Sequence, residues 1–169
     1  MGKPAAPKSP AAGRTRGQAA TGPGRVLKTL MLGTDVGFVL YWVITALHVL
    51  PAESLFKDYE NDLVVAWNWS FLPLDLLVSA TGLTALALAR RGVPAWRPLT
   101  VVSLTLTSVS GLQAISYWTI RADVSLSWWL PNLFLLLYPL APIAALLCGG
   151  TPRAAGSGSP RTAGGGPRR

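Results

Sequence analysis

Hydrophobic and polar positions alternate in long blocks along this chain. Four apolar stretches, roughly 30 to 50, 63 to 89, 98 to 120 and 126 to 148, are nearly free of charge. Each reaches the ~20 residues that a helix needs to cross about 30 Å of hydrocarbon. Short polar connections separate them, and no strand-like alternation interrupts them. The pattern predicts an all-α integral membrane fold, a four-helix transmembrane bundle. Four spans leave too few of the 169 residues for a separate soluble domain. The flanks, 1–29 and 149–169, are rich in Ala, Gly, Pro, Ser and Arg. Such composition buries too little apolar surface to fold, so both are expected to be disordered tails.

Charge orients the bundle. Lys and Arg together number 15, and 13 of them fall in the two tails and in the connection after span two, at Arg90, Arg91 and Arg97. The opposite face carries only Lys57 and Arg121, beside Glu53, Asp58, Glu60, Asp62 and Asp123. Basic residues accumulate on the cytoplasmic side, which predicts cytoplasmic termini and an external 51–62 loop. The net charge of +8 is accounted for by topology and by attraction to anionic lipid headgroups, so no nucleic-acid partner is expected. Span one is too long for the apolar core of a cleaved signal and lacks an A-x-A site after it, so it is expected to remain in the protein.

Composition excludes several chemistries. The single cysteine, Cys148, offers neither a disulfide nor a C-x-x-C, which excludes membrane thiol oxidoreductases of the four-helix type. An apolar filler role suits it better than a palmitoyl site. No H-E-x-x-H, G-x-S-x-G, phosphate-cradling Gly loop or metal-ligand cluster is present, so no catalytic residue, metal or cofactor is expected.

The polar residues inside the spans are then the informative ones, because they are rare in hydrocarbon and usually face the bundle interior. In span two, "WNWSFLPLDLL" holds Asn68 and Asp75, and these continue to Ser79 and Gly82 at spacings of 7, 11 and 14. That places all four on one helical stripe. Pro73 removes a backbone donor opposite Trp69 and predicts a bend beside Asp75. Span three supplies Gln113, near Ser110 and Tyr117, and a ladder of small residues, Ser103, Thr107 and Gly111, that permits close helix approach. Span four supplies Asn132, directly after Pro131. Asp35 is placed near the inner end of span one and His48 near its outer end; their separation puts them about 140° apart.

Counted from the outer helix ends, Asn68, Gln113 and Asn132 all lie roughly 8 to 10 Å deep, at ~1.5 Å per residue. Trp67, Trp69, Trp118, Trp128 and Trp129 surround that level, and Asp75 lies beneath it. Two readings fit. The residues form an outward polar pocket floored by Asp75, or they are interhelical glue, worth about 0.6–2 kcal/mol per bond, beneath an ordinary interfacial tryptophan belt. An ionised Asp75 costs about 3 kcal/mol at a helix centre, and no Lys or Arg lies within its span. Desolvation favours the neutral carboxyl, so Asp75 is either a site residue for a cation or a proton, or a structural hydrogen-bond donor. Asp35 reads as structural, within reach of Lys28 or Arg97 by snorkelling. His48 reads as an interfacial donor rather than a metal ligand.

Four segments, "DVGFVLYWVITALHVLP", "LFKDYENDLVVAWNWSFLPLDLL", "SGLQAISYW" and "WWLPNLFLLLYP", resemble the YvaD-like family of small bacterial four-span membrane proteins. The resemblance covers about 30 to 148 and leaves both tails outside. It implies the topology and a bacterial inner-membrane home, and it carries over no activity and no site residue.

The leading expectation is a non-enzymatic membrane protein whose polar interior binds a small amphipathic ligand or a partner helix, with membrane lipids and a homo-oligomer or second membrane protein as partners. Its candidate ligand or proton residues are Asp75, Asn68, Gln113 and Asn132, with Asp35 and His48 secondary. The alternatives are a proton-coupled small-molecule transporter using Asp75, and a membrane-embedded lipid enzyme.

Overall fold

The structure, a computed structural model, describes residues 22–51 and 58–148. The tails expected to be disordered lie outside these residues apart from 22–29. The described residues fold into six helices: α1 (Arg25–Ala46), α2 (Asp62–Trp69), α3 (Leu72–Arg90), α4 (Trp96–Ile120), α5 (Leu126–Leu137) and α6 (Leu140–Cys148). Taken as continuous rods, α2 with α3 and α5 with α6 make four helices long and apolar enough to cross a membrane, of 22 to 29 residues. Many large apolar side chains on their outer faces are exposed, among them Leu40, Leu77, Val109, Leu112 and Leu130. Hydrocarbon, not water, is the environment such faces suit.

The rods stack in an arc: α1 packs against α3, α3 against α4, and α4 against α5. Small and hydroxylated residues bring the backbones close. The Ser103 hydroxyl reaches the Val78 carbonyl at 3.4 Å, and the Ser108 hydroxyl donates to the Leu136 carbonyl at 3.0 Å. At Gly111 a Cβ would stand 2.6 Å from both the Asn132 carbonyl oxygen and the Leu136 nitrogen. Only a glycine lets α4 and α5 approach that closely. Below these contacts, Met31, Ala85, Leu86 and Leu104 form an apolar core.

Helix boundaries differ from the hydropathy pattern in several places. First, α1 begins at Arg25 instead of 30 and ends at Ala46 instead of 50. Polar residues such as Arg25, Lys28 and Thr29 prolong a helix beyond its apolar part, and Pro23–Gly24 limits it. Asp35 consequently lies at mid-helix, not near an end. Second, His48 lies outside the helix, exposed, with φ 51°. It takes the left-handed position of a Schellman cap, where Val49 N–H bonds the Ile44 carbonyl at 3.1 Å and His48 N–H bonds the Thr45 carbonyl at 3.3 Å. Gly92 ends α3 and Ala122 ends α4 by the same motif, with φ 69° and 51°. Third, span four breaks at Tyr138–Pro139, and Pro131 stays inside α5. Span two breaks at Ser70–Phe71, with Pro73 in the first turn of α3, where a missing N–H costs least.

Candidate functional site: an aromatic cavity above a buried carboxylate

The break between α2 and α3 sets Asp75 in the first turn of α3, pointing into the bundle. It is 4% exposed. Its Oδ2 accepts from the Trp42 indole N–H of α1 at 3.0 Å, and its Oδ1 accepts from the Ser110 hydroxyl of α4 at 3.0 Å. One carboxylate therefore ties three helices together. Both neighbours act as donors, the arrangement suited to an ionised carboxylate, which is acceptor-only, so Asp75 accepts in these contacts where a structural donor was expected. One turn on, the Ser79 hydroxyl lies 2.9 Å from the Asp35 backbone carbonyl and 3.0 Å from that of Asp75. Gly82 completes the stripe, and the Asp35 carboxylate lies directly against it. Asn68, Asp75, Ser79 and Gly82 all face inward.

Above Asp75 is a cavity of about 570 Å³ between α1 and α5, lined also by α2, α3 and α4. Asn68 and Asn132 line it, as do Tyr41, Trp67, Trp118 and Trp128. The aromatic wall is braced by its own contacts. Trp67 stacks on Tyr117 with centroids 3.9 Å apart and meets Phe71 edge-on at 4.9 Å. Arg121 caps this cluster, with its guanidinium 3.2 Å from the Tyr117 hydroxyl and 3.3 Å from the Asp58 carboxylate.

The amides do not bond one another. Asn68 Oδ1 accepts from the Tyr41 hydroxyl at 3.2 Å, while its Nδ2 is buried without a hydrogen-bond partner. Asn132 donates to the Trp128 carbonyl of its own helix at 2.7 Å. The expected third amide is elsewhere: Gln113 is exposed on the outer face of α4 and does not line the cavity. Its neighbours Ser110 and Ala114 take the buried face. His48, on its turn, is also off the cavity. Asp35 is 1% exposed, and its Oδ2 has no hydrogen-bond partner; it packs on α3 in place of the expected approach by Lys28 or Arg97. The Tyr138 hydroxyl lies close to Thr34 and Thr107 on the same side of the core.

Sequence reasoning missed Trp42 and Tyr41, the two residues of α1 that touch Asp75 and Asn68. A signal was present: Trp42 is seven residues from Asp35, hence on the same face of α1, and Met31, Asp35, Trp42 and Thr45 are the buried residues of that helix.

A second, more apolar cavity of about 360 Å³ continues between α1 and α5, beside Gly33, Gly37 and Phe134. Phe38, Pro131 and Leu135 line both. The two adjoin along the seam where α1 and α5 face each other.

The fold and site define an all-helical protein with four helices fit to cross a membrane and a polar, aromatic-lined interior cavity. The chain belongs to a family of unknown function (DUF5360), whose model matches residues 27–153. It is 46% identical over 123 residues to the uncharacterized protein YvaD of Bacillus subtilis (strain 168), covering 73% of this chain and 92% of that protein. No solved structure matches.

Proposed function

We propose that this chain is a non-enzymatic membrane protein that binds a small amphipathic ligand in the cavity above Asp75, with both termini cytoplasmic and the cavity opening at the external end of the bundle. One observation carries the reading: an open space of about 570 Å³, lined by Asp75, Asn68 and Asn132 among aromatic side chains, lies above the buried carboxylate. The volume falls within the roughly 300–1,000 Å³ of small-molecule sites, and the mix of apolar wall and few polar groups matches theirs. Orientation rests on the 13 basic residues of the tails and the inner connection.

The test is tryptophan fluorescence of the full chain in lipid nanodiscs, titrated with two small aromatic compounds of one shape, benzyltrimethylammonium and its neutral isostere neopentylbenzene. Saturable quenching by at least one of them, abolished by filling the cavity with Ala114→Phe, is expected. Quenching that never saturates, or that survives Ala114→Phe in a folded protein, overturns the reading. Reporter fusions in the 51–62 loop check orientation, and a cytoplasmic signal there contradicts it.

A second reading, proton-coupled transport through Asp75, draws on the second buried carboxylate. The Ser79 hydroxyl, which contacts the backbone carbonyls of both residues, sets Asp35 and Asp75 on facing turns of α1 and α3. Substrate flux in proteoliposomes that follows an imposed pH gradient, and stops in Asp75→Asn, is its signature.

A further inference from the structure

We propose that the ligand of this cavity is an amphipathic organic cation, its ammonium group paired with Asp75 and its apolar body held against the aromatic wall. The inference rests on the ligand-binding reading and narrows it to one charge class.

Charge comes first. Asp75 is the only carboxylate among the described residues that line the cavity, and no Lys, Arg or His stands with it. A buried carboxylate needs a countercharge or a full set of donors. Asp75 has two neutral donors, from Trp42 and Ser110, whereas an ionised carboxylate offers about four acceptor positions. A cation entering from the cavity supplies the missing countercharge, an anion is repelled, and a neutral molecule leaves the charge uncompensated.

The wall fits the same charge. Tyr41, Trp67, Phe71, Trp118 and Trp128 surround the space above Asp75. Aromatic faces carry negative electrostatic potential, and cages of such rings are the recurrent solution for quaternary ammonium groups. A wall made of Leu and Val would serve a neutral hydrocarbon equally well, so the aromatic composition is the discriminating feature. The adjoining apolar cavity, which shares Phe38, Pro131 and Leu135 with the first, gives a tail room to extend along the seam between α1 and α5.

The same chemistry is found in free amphiphilic ammonium compounds and in ethanolamine or choline lipid headgroups. Nanodiscs of phosphatidylglycerol alone, compared with nanodiscs that also contain phosphatidylethanolamine, separate the sources. Weaker apparent affinity in the second assigns the site to a lipid headgroup, and equal affinity assigns it to a free cation. Either result supports the cation site if the charge comparison below holds.

The deciding experiment compares benzyltrimethylammonium with neopentylbenzene on the wild-type chain in phosphatidylglycerol nanodiscs, counting only the quenching that Ala114→Phe removes. The cation is expected to bind at least tenfold more tightly. The difference should fall below threefold in Asp75→Asn and persist in Asp75→Glu. Trp128→Leu should weaken the cation several-fold and leave the neutral compound within twofold. Equal affinity of the two compounds for the wild type overturns the cation assignment even if Asp75→Asn does not fold, and it leaves the cavity reading standing. Absence of any Ala114→Phe-sensitive quenching overturns both.

Discussion

Replacing Gly82 with Ala tests the packing of the interior most sharply. In most helices Gly→Ala is stabilising by about 1 kcal/mol through backbone entropy alone. At Gly82 the added Cβ would collide with the Asp35 carboxylate, whose Cγ and Oδ1 would stand 2.6 and 2.7 Å away and whose Oδ2 is closer still. Asp35 is 1% exposed, so it has no solvent-filled space into which to swing. Overpacking of this kind costs about 1–3 kcal/mol. The two effects oppose each other, and the net expectation for Gly82→Ala is a loss of about 0–2 kcal/mol. With Asp35→Ala already present the collision vanishes, and the same substitution should become stabilising by about 1 kcal/mol. The coupling between the two sites is therefore expected to be about 1–3 kcal/mol, within the range for residues in direct contact. Denaturant titrations followed by circular dichroism on the four proteins of this cycle measure it. Additivity within about 0.5 kcal/mol would refute the packing of Asp35 on α3.

Other substitutions test neighbouring contacts. Gly111→Ala should destabilise more than Gly82→Ala, since the new Cβ meets the backbone of α5, which cannot rotate away; a melt at or above wild type contradicts the close approach. Trp42→Phe keeps an aromatic side chain, though a smaller one, and deletes the indole N–H that Asp75 accepts; the lost hydrogen bond alone costs about 1.5–3 kcal/mol. Its effect and that of Ser110→Ala should be non-additive in a double-mutant cycle, because both bond one carboxylate; strictly additive losses count against a shared partner. Ala122→Gly relieves a left-handed residue at the end of α4 and should raise stability by up to about 1 kcal/mol, which a lowered melting temperature would disprove.

How much the sequence revealed depended on which physical signal each feature leaves. Helix number and approximate length were legible because hydrocarbon thickness imposes a minimum apolar run. The stripe from Asn68 to Gly82 was legible because polar groups in such a run have few places to go. Gln113 shows where this logic fails. In water, the apolar face of a helix marks its packed side; in hydrocarbon both faces are apolar, so periodicity orients α4 poorly. The small residues of α4 were the better guide, since Ser103, Thr107, Ser110, Gly111 and Ala114 are buried. Trp42 was missed because an aromatic residue in an apolar helix looks like interface or core until its indole N–H has a partner. The end of α1 was misplaced because hydropathy continues through Leu47, Val49 and Leu50, while His48 in a left-handed conformation turns the chain.

The central claim is that the interior beside Asp75 is open, and thiol accessibility measures that directly. With Cys148→Ser as background, a cysteine replaces either Ala114, which lines the cavity, or Leu104, which is fully buried in the apolar core. Both proteins are treated in nanodiscs with a small trimethylammonium methanethiosulfonate. Ala114→Cys should react at least tenfold faster than Leu104→Cys, and benzyltrimethylammonium should slow it. Equal, negligible reactivity at both positions would show a closed core and contradict the account.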